Sequence, residues 1–442
     1  MPVGVPAPHV NEGQITSIRL VLLHDREGKV LALLPATALL DLNRVCQLAG
    51  RELQPVKAED ARRFFGQSAL RTETGLAQLL SLPLLLDTQC PATDWQCLEP
   101  YSGWSFALAD RPAHARVRMG HFAVQAQLPQ ESIGLSDDLV LNRAAGRFTG
   151  LRVQQRLEDL LGLPGLSESM HNIVRLRSHP DANIDDLVPV VRRDPSLSAQ
   201  VMGWASSPYY AAPGKVRSIE DAVIRVLGFD LVINLALGIA MGKVLRLPED
   251  VPRGSVNHWD QAVFTAALCE KLALGVQLDE RPHPGFAYLA GLLHNFGYLV
   301  LGHLFPPYFS RLSRYIEANP HLEQQQVEQE VLNVTREQIG GWLLENWKLP
   351  AEVSSAVRCQ QVPEEAGEYQ VYARLLYLAS RVLRAEGLSD GPRTDIPAGL
   401  LEQLALTPEQ VHHAVAELKG QAENLVQLSR FFDAGTRSVN IR

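Results

Sequence analysis

The sequence predicts a two-domain α+β protein, with a mixed α/β domain over residues 1–130 and an all-helical domain after it. Three observations predict this. The chain has 442 residues, more than one ordinary core accommodates. Short apolar runs separated by turn signals fill its first 130 residues, and capped amphipathic segments take over from about Leu151. A hydrophobic content of 46% against 20% charged residues belongs to a globular chain, not a disordered one.

In the first part, "IRLVLLHD" (Ile18–Asp25) and "VLALLP" (Val30–Pro35) read as strands joined by a hairpin, with Gly28 able to take positive φ. Asp41 caps a helix whose apolar face is Leu42, Val45, Leu48 and Ala49, and Gly50 ends it. "KAEDARRFFG" is a second short helix and "LPLLLD" a buried strand. "YSGWSFALAD" and "HFAVQAQLP" add alternating runs. Residues 131–150 are a polar linker. The helical domain then covers 151–390, and a C-terminal helical extension covers 391–442.

In the helical part, Asn183 opens a helix burying Ile184, Leu187, Val190 and Val191, and Asp194-Pro195 opens the next. Ser218 and Asp221 stand in capping-box spacing, and Asp230 caps a following helix. Further helices are expected over Trp259–Ala273, Tyr288–His303, Pro307–Ala318, Gln324–Trp347, Ala351–Cys359 and Tyr369–Ala385. Thr407, Pro408 and Gln410 start a long final amphipathic run.

Net charge is -8, which argues against attraction of the whole protein to nucleic acid or anionic membrane. The N-terminus lacks the pattern of a signal peptide, and no run of about 20 apolar residues exists. Cys46, Cys90, Cys97, Cys269 and Cys359 show no CxxC spacing, so free thiols in the cytoplasm are expected, with a Cys90–Cys97 loop pairing as the alternative. GxSxG, GxxxxGK[ST] and GxGxxG are all absent. His179 and His283 sit in loops, and Trp342 and Trp347 read as packing residues.

The order "LPGLSESMHNIVRLRSHPDANIDDLVPVVRRDPSLSAQVMGWASSPYY", "SIEDAVIRVLGFDLVINLALG", "GLLHNFGYLVL" and "GGWLLENWKLPAEVSSAV" resembles the HDOD family, the HD-related output domain of bacterial signalling proteins, over about Leu160 to Ala385. The resemblance implies an all-helical relative of HD phosphohydrolases that usually lacks their metal site. A working HD site needs a His, a His-Asp pair and a later Asp to hold a divalent ion and acidify its water. Here the matching positions are Gln261, His294-Asn295 and Ser380. His258 lies three residues before Gln261, about 60° short of a full turn. Arg336, Gln360 and Gln361 stand where related enzymes carry secondary histidines. One ligand of four remains, so no metal, cofactor or catalytic residue is expected. His294 is expected to be buried, bonding a backbone carbonyl or Ser380, and Asn295→Asp is expected to destabilise by burying an unpaired carboxylate.

"LVLLHDREGKVLALLPATALLDLNRVCQLAG" through "LPLLLD" is similar to the YbaK/ProX aminoacyl-tRNA deacylases over about Ile15 to Pro129. That family relies on a Lys at the first of these strands and a Gly- and Pro-rich loop. Arg19 and Gly75, with the single Pro83, are what this chain offers. Arg19 should point away from Ile18 and Leu20, toward solvent or the helical domain, and Arg19→Ala should cost little. The combined expectation is a non-enzymatic cytoplasmic signalling protein acting on protein partners or a second copy of itself, without membrane contact. Nucleic acid is not expected, except tRNA through the N-terminal domain. The alternatives are a tRNA-editing deacylase regulated by the helical domain, or a metal-dependent cyclic-nucleotide phosphodiesterase.

Overall fold

In the computed structural model, the residues described are 16–126, 168–177, 179, 181–210, 214–244, 248 and 250–437. The 131–150 linker lies outside them. The N-terminal part is a mixed sheet with short helices, and the rest of the described chain is almost entirely helical.

Strands β1 (Thr16–His24) and β2 (Lys29–Pro35) form the expected antiparallel hairpin, with Gly28 at φ 131° in its turn. Next come β3 (Leu39–Leu40), α1 (Leu42–Ala49), β4 (Gln54–Pro55), α2 (Ala58–Phe65), α3 (Glu73–Leu80) and β5 (Leu84–Asp87). They are followed by β6 (Thr93–Leu98), β7 (Ser105–Asp110), β8 (Val117–Gly120) and β9 (Ala123–Val124). The sheet runs β7-β6-β1-β2-β5-β8, with β4 paired to β1 and a separate β3–β9 pair. Strands β6 and β8 carry only weak alternation, and sequence reading passed over both. Cys97 sits in β6, and all five cysteines are free thiols.

The pleat of β1 sorts its side chains in the period-two manner of a strand. Ile18, Leu20 and Leu22 pack with Phe65, Leu70 and Leu79 beneath α2 and α3. Val21 and Leu23 face the other way, into a hydrophobic core continuous with that of the helical part. Both faces of the hairpin are therefore buried, which is why its strands read as unbroken apolar runs. The final helices, Pro408–Gly420 and Ala422–Arg437, belong to the same core: Phe432 stacks on Trp259 at 5.1 Å and on Trp204 at 6.1 Å.

Two expected helices are each broken in two. Tyr288–His303 becomes Pro284–Leu293 and Phe296–Leu304, with the break at His294-Asn295. Gln324–Trp347 becomes Gln324–Leu332 and Arg336–Asn346. There Asn333 takes left-handed φ (61°), and a Thr335/Gln338 capping box restarts the helix. Asp230 is not a cap either. Its helix begins at Phe229, and the carboxylate in the first turn pairs with Arg177. The caps at Asp41, Asn183, Asp194 and Thr407 stand where expected.

Candidate functional site: a small polar cavity around His294

The glycines of "GLLHNFG" explain the break. A Cβ on Gly291 would lie 2.6 Å from the Ala266 backbone, and one on Gly297 would lie 1.8 Å from the Arg336 carbonyl. Each glycine lets its helix press against a neighbour's backbone, the first on helix His258–Gly275 and the second on helix Arg336–Asn346. His294 and Asn295 are thereby held at the junction of three helices.

The four HD-type positions converge there. Gln261, His294, Asn295 and Ser380 line one cavity of about 30 Å³, together with Arg336, Glu337, Gln360, Arg384 and Asp390. That volume suits one or two waters and no nucleotide. His294 is 7% exposed, and its Nδ1 lies 2.7 Å from the Gly291 carbonyl oxygen. Asn295 Oδ1 accepts from Arg336 Nη1 at 2.8 Å. Ser380 donates to the Leu376 carbonyl at 2.8 Å within its own helix. Gln360 donates to the His294 carbonyl at 2.8 Å. Gln261 donates to Asp390 Oδ2 at 2.9 Å and accepts from the Asp390 backbone at 3.0 Å. Of the bonding partners expected for His294, it uses a carbonyl and not Ser380.

The electrostatics follow from enclosure. Burial pushes the His294 imidazole down to about 4, and the Arg336 and Arg384 guanidiniums add to this against the Gly291 bond. His258, stacked on Tyr298 at 6.3 Å, is pushed by burial, and then by His294, to about 3. Both rings are neutral at pH 7. Burial raises Asp390 to about 6 despite bonds from Val256 and Gln261, and burial and then Glu328 raise Glu337 to about 7. Burial works most strongly against the Arg336 charge, but Glu328, with Glu337 and Tyr298, outweighs it and the guanidinium pKa rises. Glu328 receives the Arg336 Nε at 2.5 Å and its backbone N–H at 2.9 Å. Among the described residues, no group of three or more His, Cys, Asp or Glu side chains is placed to hold a metal ion.

Sequence reading missed Asp390, Arg384 and Glu328. Asp390 lies in a loop without motif spacing. Glu328 and Arg336 would be about 12 Å apart along an unbroken helix, and only the turn at Asn333 brings them together.

The deacylase-type positions are not brought into a common site. Arg19 is buried on the face toward the helical part. It donates to the carbonyls of Ala318 (2.6 Å) and Ala38 (2.9 Å) and to Asn319 Oδ1 (2.9 Å). The expectation that Arg19→Ala costs little therefore needs correction, because removal leaves buried acceptors unpaired. Gly75 packs on the Ala69-Leu70 backbone, where a Cβ would lie 1.9 Å from the Ala69 oxygen.

Fold and site together define a helical domain built around a broken His-Asn helix and docked on a mixed sheet. A family model, the HDOD domain, matches residues 163–363. A crystal structure from Marinobacter aquaeolei VT8, described provisionally as a signal transduction protein, is 37% identical, covers 97% of this chain and 96% of its own, and has a TM-score of 0.83. An HDOD domain protein with unknown function from Geobacter sulfurreducens is 21% identical, covers 64% of this chain and 98% of its own, and has a TM-score of 0.49. An uncharacterized protein of Treponema pallidum (strain Nichols) is 25% identical over 268 residues, 60% of this chain; the chain spans about half the length of that curated relative. The helical part of the chain belongs to the HDOD domain family. Among its described residues, no helix is long and apolar enough to cross a membrane.

Proposed function

We propose that this chain is a non-catalytic regulatory protein of bacterial signalling. Its HDOD domain acts as an output module that binds protein partners through its helix faces. The N-terminal domain is a retired relative of the YbaK/ProX deacylases, serving as a sensor or a dimerisation surface. The observation that carries this reading is Arg336. In an HD enzyme, the carboxylate at position 295 would face a divalent ion. Here an amide oxygen faces a guanidinium already neutralised by Glu328. The Arg336–Glu328 ion pair occupies the position beside Asn295, and the neutral amides of Gln261 and Asn295 and the Ser380 hydroxyl are poor ligands for a divalent ion. The relation of the 37%-identical Marinobacter protein to signal transduction supports the regulatory part.

Elemental analysis of the purified chain, with a phosphodiesterase assay on bis(p-nitrophenyl) phosphate plus Mn²⁺, tests the reading. Metal well below one equivalent and no turnover are expected. Stoichiometric Fe, Mn, Zn or Mg with turnover would restore the phosphodiesterase alternative. Hydrolysis of any mischarged tRNA by the intact chain would restore the deacylase one.

A further inference from the structure

A groove of about 540 Å³ opens between the β1–β2 hairpin and α2, and Arg253 of the helical part reaches into it. Neither Arg19 nor Gly75 lines it, and it is separate from the His294 cavity. Its floor is apolar, from Leu22 and Val56. Its walls carry the charge.

Two carboxylates border the groove. Asp25 is ion-paired to Arg51. Asp60 lies 3.6 Å from Arg63 in an exposed pair, which has little strength. Arg253 is held by Glu317 and by the Pro55 carbonyl oxygen. That leaves Lys29 and Lys57, and neither has a carboxylate partner among the described residues. The Lys29 ammonium instead lies over the Phe64 ring, 4.1 Å from its centroid. In a chain of net charge -8, a groove with two uncompensated ammonium groups selects an anion. Its size falls within the range of about 300–1,000 Å³ usual for small-molecule sites, far larger than a bare phosphate needs. Phe64 supplies an aromatic face once Lys29 turns toward an anion.

We propose that this groove binds a nucleoside phosphate, with the phosphates between Lys29 and Lys57 and the base against Phe64. The inference does not rest on the regulatory reading above. It gives that reading a place for a signal to arrive, because the loop carrying Arg253 continues to Val256, whose N–H donates to Asp390 beside His294.

Isothermal titration of the full chain with GTP, ATP and inorganic pyrophosphate tests the assignment. Saturable nucleotide binding is expected, weakened about tenfold or more by Lys29→Glu/Lys57→Glu and unchanged by Lys215→Glu on the surface of the helical domain. Phe64→Leu should narrow the preference for nucleotide over pyrophosphate. Melting curves check that each variant folds; the exposed lysine changes should leave the midpoint nearly unmoved, and Phe64→Leu, at a half-buried ring, should lower it modestly. Three outcomes overturn the proposal: no saturable binding up to about 1 mM, binding indifferent to the double charge reversal, or pyrophosphate binding as tightly as either nucleotide. A short single-stranded RNA that competes and binds about tenfold tighter than the nucleotides overturns the small-ligand assignment as well.

Discussion

Arg19 and Arg336 are both guanidiniums shut away from water, one in the seam between sheet and helices and the other in the His294 cavity. They are held in opposite ways. Arg19 meets only neutral oxygens, and burial pushes it down to about 9, still charged at neutral pH. Arg336 meets a fully buried carboxylate, and its pKa rises. The first tolerates burial through hydrogen bonds that join two domains. The second is an ion pair built into the wall of the polar cavity around His294. A buried cation therefore does not identify a site by itself; its acceptors separate a hydrogen-bonded latch from a buried ion pair.

The largest expected effect breaks the second arrangement. Glu328→Gln leaves Arg336 charged and buried without its counter-ion and should cost about 3–5 kcal/mol in urea unfolding. Arg19→Ala comes next, at about 2–4 kcal/mol, because several buried acceptors lose their donor at once. Arg19→Lys should recover only part of this, since an ammonium cannot reproduce the planar fork. A measured cost below about 0.5 kcal/mol for Arg19→Ala would remove the latch from the comparison.

A third prediction uses pH. His294 sits near 4 in the folded chain, below its ordinary value of 6.5. As pH falls, the unfolded chain takes the proton first. The stability linked to the neutral ring is therefore complete above about 6.5 and is lost as pH falls toward 4. Asp390, raised to about 6, acts with the opposite sign: its penalty is full above about 6 and fades toward pH 4. His294→Gln should make the loss of stability between pH 6.5 and 4 shallower by about 1–3 kcal/mol relative to wild type, read from unfolding curves across that range. An unchanged slope would mean that the ring is not closed off.

The smallest effect is expected for Asn295→Asp. Sequence reading alone foresees an unpaired buried carboxylate, but Arg336 Nη1 already stands 2.8 Å from that oxygen. The new charge would be partnered, so thermal unfolding should move by no more than about 1 kcal/mol. Metal uptake should stay absent, because Gln261 and Ser380 remain neutral. Stoichiometric metal in this variant would sharpen the comparison by showing the site to be one substitution from function.

Much of this molecule was legible in order of residues. Helix caps at Asp41, Asn183, Asp194 and Thr407 depend on bonds spanning two or three residues, and local chemistry decides them. The hairpin, the alternation that turns Arg19 away from Ile18 and Leu20, and the convergence on Gln261, His294, Asn295 and Ser380 follow from periodicity and from a resemblance carried by long motifs. Strand β6 escaped because its alternation is weak, although it pairs with the neighbouring β7, and β8 because its partner β5 is about thirty residues away in the chain. The helix breaks at His294-Asn295 and at Asn333 escaped because close backbone approach and a left-handed turn are set by neighbours. Where Arg19 ends, which carboxylate neutralises Arg336, and that Asp390 closes the cavity were likewise decided only in three dimensions. Each depends on contacts between residues far apart along the chain or separated by a turn, where burial strengthens charge and hydrogen bonding in ways that residue type alone does not carry.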